Sequence, residues 1–159
     1  HVVNVQGDEP LIDPQMIDFL ATNMIEQTGL KVATLIRRIE DAADLSNPNV
    51  VKVVINRNNE AMYFSRQAIP FVRDFPVDSW LEHGVYYKHV GMYAYTSQAL
   101  MAIEKLHMHP YEALEKLEQL TWIAHGLSIE CFETNMESIG IDTEEDLKAV
   151  TSMIAELED

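Results

Sequence analysis

The sequence predicts an α/β fold, a mixed sheet flanked by helices with an antiparallel excursion. Three observations lead there. Short β-branched runs alternate with segments whose apolar residues recur at helical spacing. The Arg57-Asn-Asn59 turn between two apolar runs demands a hairpin within that alternation. The 159 residues, 47% apolar and 23% charged, suit a globular unit of about one domain and not a disordered chain.

His1-Val-Val-Asn-Val5, bounded by Gly7 and Pro10, reads as a buried strand. Asp13 before Pro14 is an N-cap with proline at the first helical position. Met16, Ile17, Leu20, Met24 and Ile25 continue that helix, and Gly29 is placed to stop it. Lys31 to Arg37 is the second strand. Asn47-Pro48-Asn49 turns the chain into Val50–Ile55, which returns through the Arg57–Asn59 loop as Ala61–Ser65. Pro70, Pro76 and Gly84 punctuate a long loop carrying Phe71, Phe75 and Trp80. Tyr86–Tyr95 is an aromatic strand with Gly91 inside it. Thr96 or Ser97 caps a helix through Leu106. Pro110-Tyr111 opens another, with Leu114, Leu117, Leu120 and Ile123 on one stripe and Gly126 behind it. Ser128–Phe132 is a strand, and Asp142-Thr-Glu-Glu145 has the form of a capping box before a helix from Leu147 to Leu157.

Eleven Lys+Arg against 26 Asp+Glu give a net charge of −15, which argues against a nucleic-acid partner because nothing offsets repulsion from a polyanion. No apolar run approaches the ~18–20 residues that span a bilayer, so no membrane partner is expected. The single cysteine, Cys131, cannot form an internal disulfide and suits a reducing, cytoplasmic setting. The chain starts at His1 and runs directly into a strand-like segment, so residues 1–159 are expected to be one partial domain.

Two loops at strand ends could carry chemistry. Gln6-Gly7-Asp8-Glu9-Pro10 sets two carboxylates on a turn, and oxygen-only ligands of this kind suit Mg²⁺ bridging to phosphates. The same residues also fit a polar turn whose Asp binds its own backbone. Asp142 is equally two-sided: a helix cap, or a second metal ligand converging with Asp8 on one cation. His107-Met-His109 has the spacing of a metal pair but no third ligand beside it. His89 stands in a strand near Gly91, which would admit a ligand. Arg66 ends a strand with a guanidinium suited to carboxylate or phosphate, or to a surface pair. Glu118 and Gln119, between two leucines, read by themselves as an exposed helix face. There is no G-x-S-x-G, glycine-rich phosphate loop or Cys–His pairing to support a hydrolase or P-loop reading.

Six segments occur in order: Val3-Asn-Val-Gln-Gly-Asp-Glu-Pro-Leu11, Asn49-Val-Val-Lys52, Tyr63-Phe-Ser-Arg66, Tyr87-Lys-His-Val-Gly-Met-Tyr-Ala-Tyr95, Leu117-Glu-Gln-Leu120 and Gly140-Ile-Asp-Thr143. This series resembles the 3-deoxy-manno-octulosonate (Kdo) cytidylyltransferases, the CMP-Kdo synthetases of lipopolysaccharide synthesis. The resemblance implies a nucleotide-diphospho-sugar transferase-like sheet, and transfer of CMP from CTP to Kdo with release of pyrophosphate. It implies that Asp8 and Asp142 hold Mg²⁺ and that Gln6 lies beside nucleotide or sugar. It places Arg66, His89, Tyr93, Glu118 and Gln119 around the sugar acid. There an Arg and a His suit its carboxylate, while Glu and Gln suit its hydroxyls. The family's opening segment, rich in Arg, Ser, Pro and Lys, has no counterpart here, so the chain is expected to be the C-terminal two-thirds of such an enzyme.

The family also implies a homodimer. Tyr86, Tyr87 and the Phe71–Trp80 loop supply the aromatic surface expected to build it, across Phe71 to Tyr95. Rival readings are a synthetase for 8-amino-Kdo, one for another CMP-sugar such as a sialic acid, and a non-catalytic dimerisation module. The segments Tyr87–Tyr95 and Leu117–Leu120 match the Kdo enzymes better than the sialic-acid ones.

Overall fold

Tyr87–Tyr95 (β5) is the strand around which the sheet is assembled. In the computed structural model, which describes residues 1–7, 10–136, 141 and 144–157, three other strands pair with it antiparallel. These are β1 (Val2–Asn4), β2 (Val32–Arg38) and β3 (Lys52–Ile55). β4 (Ala61–Ser65) returns from β3 through the expected hairpin, and β6 (Ile129–Glu133) joins β2 in parallel. The path is β4-β3-β5-β2-β6, with β1 beside β5. The sheet is mixed, as expected. Its antiparallel part is larger than one hairpin, because the aromatic run Tyr87–Tyr95 lies in the middle of the sheet.

Local chemistry explains the ends of the elements. The Asp13 carboxylate accepts the Gln15 N–H and starts α1 (Pro14–Glu26); Thr96 does the same for the Ala99 N–H at the start of α3 (Ser97–Ile103). Asn59 takes φ +62° in the hairpin, a left-handed conformation that Asn tolerates. The β2–β5 register slips between Leu35↔Val90 and Thr34↔Tyr93, so the bulge falls at Gly91-Met92. Two short elements escaped the sequence reading: α2 (Ala42–Ser46), capped by Asp41, and the 3-10 helix Val77–Glu82.

Each face of the sheet is covered. Met16, Leu20 and Met24 of α1 pack on Ala33, Leu35, Met92 and Ala94. On the opposite face, Val32, Ile36, Val53, Phe64, Tyr93, Tyr95, Ile129 and Cys131 meet Ala99, Leu117, Leu120 and Trp122. Ala99 belongs to α3, and Leu120 and Trp122 to a helix over Gln119–Ala124. A third cluster, Ile39, Leu45, Trp80 and Tyr86, lies under the long loop.

Several expectations are corrected. β1 is an exposed edge strand and not a buried one, since only Val3 turns inward. Ile25 faces outward, and Gly29 lies beyond a helix that already ends at Glu26. The single helix expected after Pro110 is two, α4 (Pro110–Glu115) and α5 (Gln119–Ala124), broken where Lys116 takes φ +56°. Leu114 is therefore 79% exposed instead of on the stripe. Trp80 and Tyr86 are buried, so the exposed apolar groups of the long loop are Phe71, Phe75 and Val85. α6 (Glu144–Leu157) follows, but its capping box at Asp142 lies outside the described residues. Among the described residues no helix is long and apolar enough to cross a membrane.

Candidate functional site

The turn opened by Asn47-Pro48 organises one wall of the site. Asn47 and Val50 direct their carbonyls at the Lys52 ammonium, at 2.8 and 2.6 Å, and Pro48 directs its own at Arg66 Nη1, at 3.0 Å. The next carbonyl, Val51, accepts the main-chain N–H of His89 at 2.8 Å. One turn thus fixes the guanidinium of Arg66 and the backbone of His89. Lys52 is wholly buried. Burial lowers its pKa, while Asp44 and then Glu115 act in the opposite direction.

His89 stands on the face of β5 that carries Tyr93 and Tyr95, as strand alternation requires across a two-residue bulge. Its ring lies 5.1 Å from both Phe64 and Tyr93, centroid to centroid, and its Nε2 is 3.0 Å from Thr34 Oγ1. The Thr34 hydroxyl has one proton. Its shortest acceptor is the Met92 carbonyl at 2.7 Å, against 3.4 Å to Val90. That proton goes to Met92, so His89 Nε2–H donates to Thr34 and Nδ1 is left as an acceptor. Burial depresses the imidazole pKa to about 3, which keeps the ring neutral. A neutral ring with a bare acceptor nitrogen suits a hydroxyl, not a carboxylate.

Tyr93 supplies the complementary group. It is buried among His89, Tyr95 and Trp122, and its phenolic oxygen has no hydrogen-bond partner among the described residues. Burial first, then Tyr95, Cys131 and Glu118, hold the phenol firmly protonated. The buried O–H is a donor awaiting an acceptor. An unpaired buried hydroxyl costs about 1–3 kcal/mol. Tyr93→Phe is therefore expected to raise the urea midpoint, by the equivalent of about 1 kcal/mol. A loss of stability of that size would mean that the hydroxyl already has a partner.

The carboxylate of Glu118 completes this wall, exposed at the corner between α4 and α5 and electrostatically coupled to both Tyr93 and Tyr95. The Asn4 side chain of β1 hydrogen-bonds the Tyr95 phenol. The left-handed Lys116 makes the corner possible by turning the chain between Glu115 and Glu118.

Of the residues singled out from sequence, His89 and Tyr93 pack together, Glu118 is electrostatically coupled to Tyr93, and Arg66 is tied to the turn that also holds the His89 main chain. Gln119 adjoins it but is buried at the start of α5, against the reading of an exposed face. Gln6 is exposed on the loop after β1, two residues beyond Asn4. Asp8 and Asp142 lie outside the described residues. His109 caps α4, its Nδ1 accepting the Tyr111 N–H. The sequence reading missed Thr34, Lys52, Tyr95, Glu115 and Trp122. Lys52 did leave a signal, as a charge inside the β-branched run Val50–Ile55.

The sequence profile of the cytidylyltransferases matches residues 1–138. The chain belongs to the cytidylyltransferase family. Within it, the chain is 47% identical over 151 residues to a 3-deoxy-manno-octulosonate cytidylyltransferase of Cytophaga hutchinsonii, covering 94% of this chain and 60% of that protein. It is 42% identical over 158 residues to the protein of the same name from Parabacteroides distasonis, covering 97% and 62%. Among solved structures, a CMP:2-keto-3-deoxy-manno-octonic acid synthetase complexed with CTP superposes with a TM-score of 0.85 at 38% identity, covering 97% of this chain and 61% of that one. This cytidylyltransferase chain thus spans about 60% of the length of the curated relatives it matches.

Proposed function

We propose that the protein carrying this chain is a cytoplasmic cytidylyltransferase that activates Kdo with CTP, releasing pyrophosphate and giving CMP-Kdo for lipopolysaccharide synthesis. One observation carries the reading: the turn after Asn47 holds both the Arg66 guanidinium and the main chain of His89, whose neutral imidazole acceptor packs beside the phenol of Tyr93, unpaired among the described residues. A sugar acid needs that mixture, a cation for its carboxylate and both donors and acceptors for its hydroxyls. Arg66 takes the carboxylate, His89 Nδ1 accepts from a hydroxyl, and Tyr93 donates to another oxygen. Glu118 and Gln119 serve the remaining hydroxyls, and Gln6 lies toward the nucleotide. The names of the relatives, and the CTP bound in the solved neighbour, favour the same pair of substrates.

In the reaction the sugar hydroxyl oxygen bonds to the α-phosphorus of CTP as the bond to the bridging oxygen breaks. Pyrophosphate leaves, and the hydroxyl proton is lost. The residues of this chain contribute alignment of the sugar, from which much of the acceleration in such a displacement derives. Asp8 and Asp142 fit Mg²⁺ as hard carboxylate donors, and the ion would neutralise phosphate charge. Pyrophosphate release by the intact protein with CTP, Mg²⁺ and either Kdo, 8-amino-Kdo or a sialic acid tests the assignment. Release with Kdo is expected. Release only with a sialic acid, or with none of the three, would overturn the proposal.

The same reading carries a homodimer. Its apolar surface would be Phe71, 76% exposed, with Phe75 and Val85.

A further inference from the structure

Lys52 touches no candidate ligand, yet it is the most deeply buried cation among the described residues. Among the described residues its hydrogen-bond partners are main-chain carbonyls, those of Asn47, Val50 and Arg66, the last at 2.6 Å. Glu115 meets Arg66 from the other side. Its Oε2 accepts the Arg66 main-chain N–H at 3.0 Å, its Oε1 accepts the Ser65 hydroxyl at 2.8 Å, and its own carbonyl accepts from Arg66 Nε at 2.8 Å.

The ladder explains why charges are placed here. β4 ends at Ser65, which pairs with Lys52 itself, so the next residue has left the sheet. The main-chain groups of Arg66 would lack strand partners, and an ammonium and a carboxylate supply them. Burying an ammonium on neutral carbonyls is expensive compared with an apolar side chain. What that arrangement achieves is a fixed Arg66: main chain held at both ends, Nε on Glu115, Nη1 on Pro48, and Nη2 without a bond among the described residues.

Building on the proposed sugar-acid role of Arg66, we infer that Lys52, supported by Glu115, is the positioning residue that aims the Arg66 guanidinium at the acid group of the substrate. A planar fork binds a carboxylate well only when its orientation is set, and an error of about 1 Å can cost about 10²-fold. Lys52 acts wholly through Arg66.

The test is a double-mutant cycle in the intact protein with Lys52→Met, Arg66→Gln and the double variant. Arg66→Gln is expected to raise the KM for Kdo about 30-fold or more. Lys52→Met should raise it about tenfold, with the KM for CTP within about twofold of wild type. In the Arg66→Gln background, Lys52→Met should add less than about twofold, because its target is already gone. A full multiplicative effect there, or equal effects on both substrates, would overturn the inference and leave Lys52 a general support. Should Lys52→Met fail to fold, Glu115→Ala, whose side chain is half-buried, carries the same cycle with the same expectations. A second readout needs no substrate. Hydrogen exchange at Arg66 Nε–H should quicken about tenfold in either variant, since local opening controls protection. Unchanged exchange sinks the coupling. An Arg66→Gln variant with normal KM for Kdo sinks instead the sugar-acid role on which the inference rests.

Discussion

Asp142→Asn and Asp8→Asn should each lower the turnover of the intact protein by about 10²–10³-fold while leaving its urea midpoint within about 0.5 kcal/mol. Asparagine has nearly the shape of aspartate and caps a helix almost as well, so the substitution separates the two roles open to Asp142. At Asp8 the substitution keeps a residue type equally suited to a polar turn. What it removes is one negative charge and one strong oxygen donor from the proposed Mg²⁺ ligands, where charge on the phosphates must be neutralised. The measurement is kcat by pyrophosphate release across a Mg²⁺ titration, with urea unfolding beside it. Partial recovery at high Mg²⁺ is expected from either variant. Normal turnover from Asp142→Asn would leave that residue as a cap, and normal turnover from Asp8→Asn would leave the first loop a turn.

Much of the fold could be read because the signals are local. Asp13-Pro14, Thr96 and the Arg57–Asn59 loop act through bonds within a few residues, and each does in the structure what its composition predicts. What could not be read is decided at long range. Nothing inside Tyr87–Tyr95 says that three strands will pair with it; that follows from where β1, β2 and β3 come to lie. The break at Lys116 is equally hidden. Lysine carries no preference for φ +56°, and the leucine spacing runs straight through it. Tertiary packing of Leu117, Leu120 and Trp122 on the sheet overrides the local helical pattern.

The candidate site divides in the same way. The residue types at Arg66, His89, Tyr93 and Glu118 were visible, but their states were not. That His89 is a neutral acceptor depends on Thr34, 55 positions away, and on the carbonyl of Met92. That Arg66 is held depends on Lys52 and Glu115, which look like an ordinary strand lysine and an ordinary helix glutamate in one dimension.

Acid should destabilise the protein through His89, and the sign follows from the direction of its pKa. The folded-state value is depressed to about 3, whereas an unfolded histidine titrates near 6.5. Above about 6.5 both states are neutral and the group contributes no pH dependence. As the pH falls below that value, the unfolded chain takes up a proton that the native site refuses. Stability then declines by about 1.4 kcal/mol per pH unit until the folded value is reached. Carboxylates also titrate within this window, so wild type must be compared with His89→Gln, whose amide can still donate toward Thr34 and accept with its oxygen. The stability difference between the two should move in favour of the variant by about 2 kcal/mol between pH ~6.5 and ~4.5. A difference that stays flat would mean that His89 takes up a proton in the folded protein without penalty. The companion measurement is the KM for Kdo. A neutral acceptor predicts no change between pH 8 and 6 attributable to this residue, whereas an imidazolium pairing with the sugar carboxylate predicts binding that weakens as the pH rises through about 6.5. That weakening, absent from His89→Gln, would return His89 to the carboxylate and leave Thr34 as the donor in their hydrogen bond.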